Sequence, residues 1–438
     1  MAIGESWGRT FKASHKLEPR NWMHSPLPSN PEGQSILAYG MGKSYGDSCL
    51  NDGGILMPTQ RMNRVIKFDR ETGVLRCEAG ATLESILQLC VPDGWFLPVV
   101  PGTKFITLGG AIANDIHGKN HHASGTFGCH VRALELMRSE DSPKLCSPDK
   151  NTDLYKATIG GLGLTGLITW AEIQLKKVKS SFINMESIKV RDLDEFLDLS
   201  ARSDKDFEYT VSWLDSFARG RNSGKGVFLR GNHSSEEHKG LPTHRPPKFP
   251  WPIDAPNFLL NKLSIKAFNF AYYNKQFSRK KQSTVHYDPF FFPLDALHDW
   301  NRIYGKRGFF QYQFVLPFAE GHGPVRNILR IISESGQGSF LAVIKTFGNI
   351  ESPGLLSFPR PGVTVALDFP NNGQQTRLLF KELDKVVLDN GGRLYPAKDA
   401  CMNIEAFERC YPEIKNFLPH IDPAFSSSFW RRVHPKAA

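Results

Sequence analysis

The sequence predicts an α+β chain with two domains, and three observations carry that expectation. Residues 35–178 alternate short strands and helices without forming a regular βαβ series. After about residue 179 longer strands with occasional helices take over, which predicts an antiparallel sheet. Three glycine-rich turns all fall in the earlier region. The expected division is residues 1–178 and residues 179–392, the latter with a mobile insert around 234–283. A chain of 438 residues with 40% hydrophobic content can bury cores of that size.

The elements follow in order. Ser35–Tyr39 is strand-like and runs into Gly40-Met-Gly-Lys-Ser-Tyr-Gly-Asp47. This turn is not a P-loop, because Leu37 stands where the first glycine must be, and not a dinucleotide fingerprint, because Tyr45 replaces its third glycine. A tight loop rich in backbone donors remains. Arg64–Asp69 and Gly73–Ala79 read as a hairpin, and Thr82 as the cap of a helix carrying Leu83, Ile86, Leu87 and Cys90 at helical spacing.

Pro101–Val131 then gathers glycines, histidines and lysines with little apolar periodicity. Gly109, Gly110, Gly118 and Gly125 allow close backbone approach to a large planar group. Gly109-Gly110 entering an Ala-rich turn is expected to point N–H groups at an anion such as a diphosphate. The third turn, Ile159–Ile168, feeds a strand through Leu175. Together the turns suggest a large cofactor threaded through one domain.

Later strands are expected at 209–215, 225–230, 309–316, 339–347 and 362–369. An amphipathic helix over 374–388 puts Leu379, Leu383, Val386 and Val387 on one face and stops at Asn390-Gly391-Gly392. The segment 234–283 begins polar and proline-rich, which reads as a mobile loop. Its second half is aromatic and basic, suiting either a bilayer interface or an ordinary buried helix beside a solvated loop.

Composition narrows the function classes. The net charge of +10 fits an anionic cofactor, a phosphorylated substrate or an anionic membrane surface; no nucleic-acid motif accompanies it, so no nucleic-acid partner is expected. The 7 scattered cysteines contain no CxxC pair, which argues for reduced thiols and against structural zinc. No metal is expected at the histidines either, since no carboxylate-rich shell accompanies them. The polar start suggests no secretory peptide, and no apolar run is long enough to span a bilayer, so a cytoplasmic location is expected, peripheral on the inner membrane face at most.

The segments Gly40–Asp47, Pro101–Val131 and Gly160–Leu167 resemble the flavin-binding domain of the vanillyl-alcohol oxidase / p-cresol methylhydroxylase superfamily. GKSYGD, PGT, GGAIANDIHGKNHH and GGLGLTG resemble, within it, the oxidases of decaprenylphosphoryl-β-D-ribose. The likeness continues through FFQYQFVLP (309–317), FLAVIKTFG (340–348) and GGRLYPAKDA (391–400), and so covers most of the chain.

The resemblance implies a p-cresol methylhydroxylase-type FAD-binding domain, completed by 393–438, beside a substrate domain on the antiparallel sheet. It implies an FAD oxidoreductase acting on the 2′-hydroxyl of a polyprenyl-phosphate-linked pentose. That would be the first half of an epimerisation to an arabinose donor for the cell envelope, completed by a separate NAD(P)H-dependent ketoreductase.

By the same resemblance, Gly40, Gly42, Lys43, Ser44, Tyr45, Gly46 and Asp47 hold the cofactor, with Gly102, Thr107, Leu108, Gly109, Gly110 and Asn114. His117, Gly118, Lys119, Asn120, Ile168 and Tyr395 complete that set. Other members of the superfamily attach FAD through a histidine in the first loop; here that loop has none, so non-covalent FAD is expected.

Oxidising an alcohol with a flavin requires a group to take the hydroxyl proton and positive charge beside the reduced ring. The resemblance assigns these catalytic roles to Lys398, with His117 beside it. Alternation puts Gln311 and Gln313 on one strand face, and likewise Lys345 with Phe347, and Thr364 with Ala366 and Asp368. Such faces could equally meet solvent; the resemblance makes Trp213, Gln311, Gln313, Lys345, Phe347, Thr364 and Ala366 substrate residues.

Three positions depart from the family pattern. Ala366 stands for a cysteine, Thr364 for an asparagine and Phe291 for a tyrosine, which puts the exact sugar or lipid in question. An oxidase of a soluble alditol or sugar lactone is the alternative enzyme. A basic, non-catalytic scaffold for nucleic acid or membrane is the alternative from another class.

Overall fold

The computed structural model describes residues 3–29, 33–140, 142–236, 241–246, 249–251, 253–256 and 259–435. In the N-terminal region, β1 (Lys16–Leu17), β2 (Ile36–Tyr39) and β3 (Ile55–Pro58) form a small parallel sheet in the order β1-β3-β2. Beside it lies a five-stranded antiparallel sheet. Its strands are β4 (Val65–Asp69), β5 (Val74–Glu78), β6 (Val131–Met137), β7 (Lys144–Cys146) and β8 (Leu167–Gln174). Their order is β4-β5-β8-β6-β7.

β4 and β5 are the expected hairpin, turning at Gly73 with φ +73°. Helix α1 (Leu83–Cys90) buries Leu83, Ile86, Leu87 and Cys90, and its Thr82 cap accepts from the Ser85 N–H at 3.1 Å. The shorter α2 (Leu108–Ala113) is capped the same way by Thr107, which accepts from Gly110.

The second sheet has eight strands, antiparallel throughout. They are β9 (Phe182–Val190), β10 (Tyr209–Leu214), β11 (Gly226–His233), β12 (Lys280–His286), β13 (Phe309–Pro317), β14 (Ala342–Phe347), β15 (Gly362–Pro370) and β16 (Arg393–Leu394). The order is β12-β9-β11-β10-β14-β15-β13-β16.

Helices α3 (Leu193–Ser203), α5 (Gly323–Ser335) and α6 (Gln374–Asp389) cover one face of this sheet; α4 (Lys262–Asn274) lies elsewhere and returns below. The core beneath them interleaves Phe196, Ile328, Ile332, Leu383 and Val387 with Phe310, Tyr312, Phe314, Val365 and Leu367. Since strand residues alternate, Gln311, Gln313, Thr364, Ala366 and Asp368 point the other way. Helix α6 ends at Asn390 with Gly391 at φ +60°, as the sequence predicts.

Of the expected insert 234–283, the residues 237–240, 247–248, 252 and 257–258 lie outside the described ones. Its second half contains helix α4, with Ile265 and Asn269 buried, and leads into β12, an edge strand paired to β9 along Ile183↔Val285 and Ser187↔Lys281.

The C-terminal segment links both sheets. Arg393 and Leu394 add a strand beside β13, and the chain then returns to the N-terminal region. There Phe425 bridges to Ile36, Asp422 accepts from Ser139 Oγ at 2.6 Å, and the Ser428 N–H donates to Leu50 O at 2.8 Å. Helices α7 (Ile404–Cys410) and α8 (Ser428–Val433) bury Phe407, Phe429 and Trp430 in the larger core. From α8, Arg432 grips Asp47 at 2.9 and 2.7 Å and Asp399 at 3.0 Å.

Candidate active site

The three glycine-rich turns meet. Gly40 lies so close to Thr107 that a Cβ would stand 2.5 Å from its hydroxyl, and Gly42 turns at φ +62°. A Cβ on Gly46 would sit 1.7 Å from the Asp399 carbonyl oxygen, so this loop packs directly on the 395–399 turn. The Tyr45 N–H donates to Ala397 O at 3.0 Å, and among the described residues it is the N–H of 40–46 that meets a backbone carbonyl. From the third turn, Gly160 and Leu162 donate to Ile112 O (2.9 Å) and Ala113 O (2.8 Å), under α2.

One expectation needs correcting here. The N–H groups of Gly109 and Gly110 do not face an anion: Gly109 donates to Ala79 O at 2.7 Å and Gly110 to Thr107 Oγ1 at 3.1 Å. Their glycines serve close packing, Gly109 against Ala79 and Gly110 against the Thr107 hydroxyl. Among the described residues, the N–H groups of 40–43 donate to no backbone carbonyl outside the strands and helices.

Several other predicted cofactor residues turn out to brace the loops. Asp47 is held by Arg432. The Asn114 side chain donates to Gly110 O (2.9 Å), while its carbonyl accepts the Tyr395 hydroxyl (2.9 Å). Asn120 donates to Pro98 O at 2.8 Å, and Lys119 Nζ donates to Phe291 O at 3.1 Å. A Cβ on Gly118 would meet Val100 O at 2.8 Å. Leu108 and Ile168 are buried in the N-terminal core, whereas Gly102 is exposed with nothing near its Cβ position.

Opposite these loops, the face of the eight-stranded sheet away from α3, α5 and α6 presents its polar residues in register. Gln311 pairs with Asp368, Gln313 with Ala366, and Thr364 with Lys345. His117 joins the two sides. Its Nδ1 lies 2.8 Å from Lys345 Nζ and its Nε2 3.0 Å from the Gln313 amide, against the rings of Phe347, Tyr395 and Phe358.

Burial and the Lys345 charge push the His117 pKa well below the ordinary imidazole value, so the ring is neutral. The Gln313 amide nitrogen faces His117 Nε2, so a neutral ring accepts the amide N–H there and keeps its own proton on Nδ1, facing Lys345 Nζ, an amine whose pKa burial lowers. Lys345 also donates to Gly118 O at 2.9 Å.

Lys398 completes the constellation, its ammonium 4.0 Å from the centre of the Tyr45 ring. Burial lowers its pKa to about 8, partly opposed by the Asp368 carboxylate. Asp368 is raised to about 7 by burial, against the opposing pull of a hydrogen bond from Gln311 and of Lys398. Its Oδ2 is buried without a partner. Burial also lowers Lys43 and Lys119 to about 8 and Lys345 well below its ordinary value, the last helped by Lys119 and Lys398.

Trp213 stands at the side of this face, its indole N–H donating to Phe340 O at 3.0 Å. Phe347 packs on His117 and His121. Phe291 is fully buried beside Tyr209, with its carbonyl taken by Lys119.

Sequence reasoning assigned no role to Asp115 or Asp368. Asp115 accepts from the Gly128 N–H (2.8 Å) and from Ser352 and Ser357 (2.5 Å each), fastening the His117 loop to the segment before β15. Only Asp368 had a signal, as the next alternate residue after Thr364 and Ala366.

The arrangement fits FAD. An N–H-bearing loop with closely packed glycines can cradle a diphosphate, and Lys43, Lys119, Lys345 and Lys398 supply positive charge to a poorly solvated space. The unpartnered Asp368 Oδ2 marks a polar site awaiting a ligand.

Residues 29–142 match the family described as FAD binding domain. The fold and site therefore define an FAD-dependent oxidoreductase. Decaprenylphosphoryl-beta-D-ribose oxidase of Mycolicibacterium smegmatis is 35% identical over 98% of this chain and 96% of its own length. An uncharacterized protein of Streptomyces coelicolor is 32% identical over 80% of this chain and 99% of its own. The human Delta(24)-sterol reductase is 28% identical over 30% of this chain and 25% of its own. The chain belongs to the decaprenylphosphoryl-β-D-ribose oxidase family.

Proposed function

We propose that this chain oxidises the 2′-hydroxyl of a pentose carried on a polyprenyl phosphate, of the decaprenylphosphoryl-β-D-ribose type, to the 2′-keto form. The observation that carries this is the meeting of Asp368, Lys345 and Gln313 from one sheet face with His117 from the glycine-rich segment and Lys398 from the 395–399 turn. Bound FAD supplies the acceptor for the hydride leaving the carbinol carbon.

Lys398, with its lowered pKa, takes the hydroxyl proton and becomes an ammonium beside the site of reduction. Gln311 and Gln313 hold sugar hydroxyls, and His117 fixes the Gln313 amide and the Lys345 side chain in place. Lys345 and Lys119 offer charge to the substrate phosphate. Trp213, Phe347, Thr364 and Ala366 shape the sugar pocket. The loop residues from Gly40 to Ser44 hold the cofactor without a covalent bond, as no histidine lies among them.

A 2′-keto sugar returns to an alcohol of opposite configuration only by hydride delivery to its other face, so a separate NAD(P)H-dependent ketoreductase completes the epimerisation to an arabinose donor. Free thiols at all the cysteines suit a reducing compartment. Among the described residues no helix is long and apolar enough to cross a membrane. A lipid-linked substrate supports a peripheral position at the membrane surface.

The test is anaerobic mixing of the yellow holoprotein with prenyl-phosphoryl pentoses, free alditols and sugar lactones. Bleaching of the flavin band by the lipid-linked pentose is expected; bleaching by a free alditol or lactone alone overturns the assignment.

A further inference from the structure

Helix α4 carries two apolar faces, and only one is covered. Ile265, Asn269 and Tyr272 turn inward, the Tyr272 ring tilted against Trp213 (4.6 Å between centroids) and Asn269 donating to Asp215. On the other side Leu263 and Phe270, two turns apart, are 78% and 71% exposed, and Phe277 just past the helix is 99% exposed. The chain leading into the helix exposes Ile253 and Leu259 as well. Large side chains in water at this density mark a docking surface rather than chance exposure.

Charge says what docks. Residues 255–281 contain no Asp or Glu. Arg279 and Lys280 are held in ion pairs with Glu195 and Glu186, so their charge is already offset. Lys262, Lys266 and Lys275 make no ion pair among the described residues, and all three are exposed. Lys266 and Lys275 also lie over the Phe217 and Tyr272 rings, at 5.6 and 3.6 Å. Exposed phenylalanines and a leucine flanked by lysines without ion pairs, on a helix lacking acids, match an anionic bilayer surface.

Half-exposed Phe268 ties α4 to the core beside the site. It meets Phe340 at 5.5 Å, Phe340 stacks on Tyr304 at 5.6 Å, and Tyr304 stacks on Phe309 at 4.1 Å. Phe309 in turn meets Tyr45 at 5.3 Å, the ring beneath Lys398. Tyr304, Phe309 and Tyr45 are buried and Phe340 packs against them, which fixes the position of the exposed helix relative to the site.

We infer that α4 is an interfacial docking helix: Leu263, Phe270 and Phe277 enter an anionic lipid surface, and Lys262, Lys266 and Lys275 sit among its headgroups. The docking rests on this exposed face and its charge and not on the proposed reaction.

Flotation of holoprotein with phosphatidylglycerol and phosphatidylcholine vesicles tests it. Binding is expected to the anionic vesicles, to weaken with salt, and to fall at least tenfold in the L263Q/F270Q/F277Q variant. K262Q/K266Q/K275Q is expected to lose about fivefold per lysine. Both variants must keep the wild-type circular dichroism and bound flavin.

Equal flotation of wild type and both variants would overturn the docking, as would light scattering that finds a dimer split by F270Q, since a second copy would then cover the face. Turnover ties docking to catalysis. The apolar variant should keep activity on a detergent-soluble short-prenyl substrate and lose it on one embedded in vesicles; equal losses on both would overturn a role for docking in substrate access. Failure of every glycolipid to reduce the flavin, with flotation as expected, would sink the reaction and leave the docking intact.

Discussion

Replacing Lys398 by methionine removes the proton acceptor while keeping most of the side chain's volume. Its burial lowers the pKa from 10.5 to about 8. At pH 7.5 about a quarter of such amines are neutral, against about one in a thousand at the ordinary value, so burial enlarges the basic population roughly two hundredfold. General-base groups contribute about 10²–10⁴-fold, or about 3–5 kcal/mol of barrier. K398M should therefore lose flavin reduction by that factor, measured by anaerobic stopped-flow absorbance, while retaining bound FAD.

The sign of the pH dependence follows from the same group. A base must start neutral, so the wild-type rate should rise with pH through a limb near 8. The Asp368 carboxylate favours the ammonium form, so D368N should move that limb to lower pH. A K398M rate within tenfold of wild type, or a D368N limb that stays put or moves upward, would refute the assignment of Lys398 as base.

Three further outcomes are expected. Acid precipitation should release all of the FAD into the supernatant, since no histidine lies in residues 40–47; flavin remaining on the pellet would show a covalent link. Gly46→Ala should cost about 1–3 kcal/mol or more, because its Cβ would lie 1.7 Å from a backbone oxygen of Asp399; denaturant unfolding and the flavin-to-protein absorbance ratio measure the loss. Ala366 lies opposite Gln313 and Val343 on the polar sheet face, so Ala366→Cys should gain one mass adduct with a thiol electrophile, slowed by bound substrate, with turnover largely kept. Absence of the extra adduct relative to wild type would mean residue 366 does not face the site.

Local chemistry was legible in the chain. Thr82 before an apolar helical spacing, glycine at the β4–β5 turn and the stop after α6 each act through neighbours a few residues away, and each appears where the sequence puts it. Strand alternation likewise sorted Gln311, Gln313, Thr364, Ala366 and Asp368 onto one side, because the period of two belongs to the backbone itself.

What alternation cannot say is which side meets water. Helices α3, α5 and α6 cover the opposite face, and that packing alone turns the polar residues toward the glycine-rich loops. His117 reaches Lys345 across 228 positions and Gln313 across 196, contacts without any local signature. The same holds for the donors: that Ala79 and Thr107 consume the Gly109 and Gly110 N–H groups depends on how β5 and α2 pack. The lowered pKa of Lys398 is likewise tertiary, since its largest cause is burial and the carboxylate opposing it comes from strand β15. Residue identity and short-range geometry determine which groups are available; desolvation and long-range packing determine which of them meet, and in what protonation state.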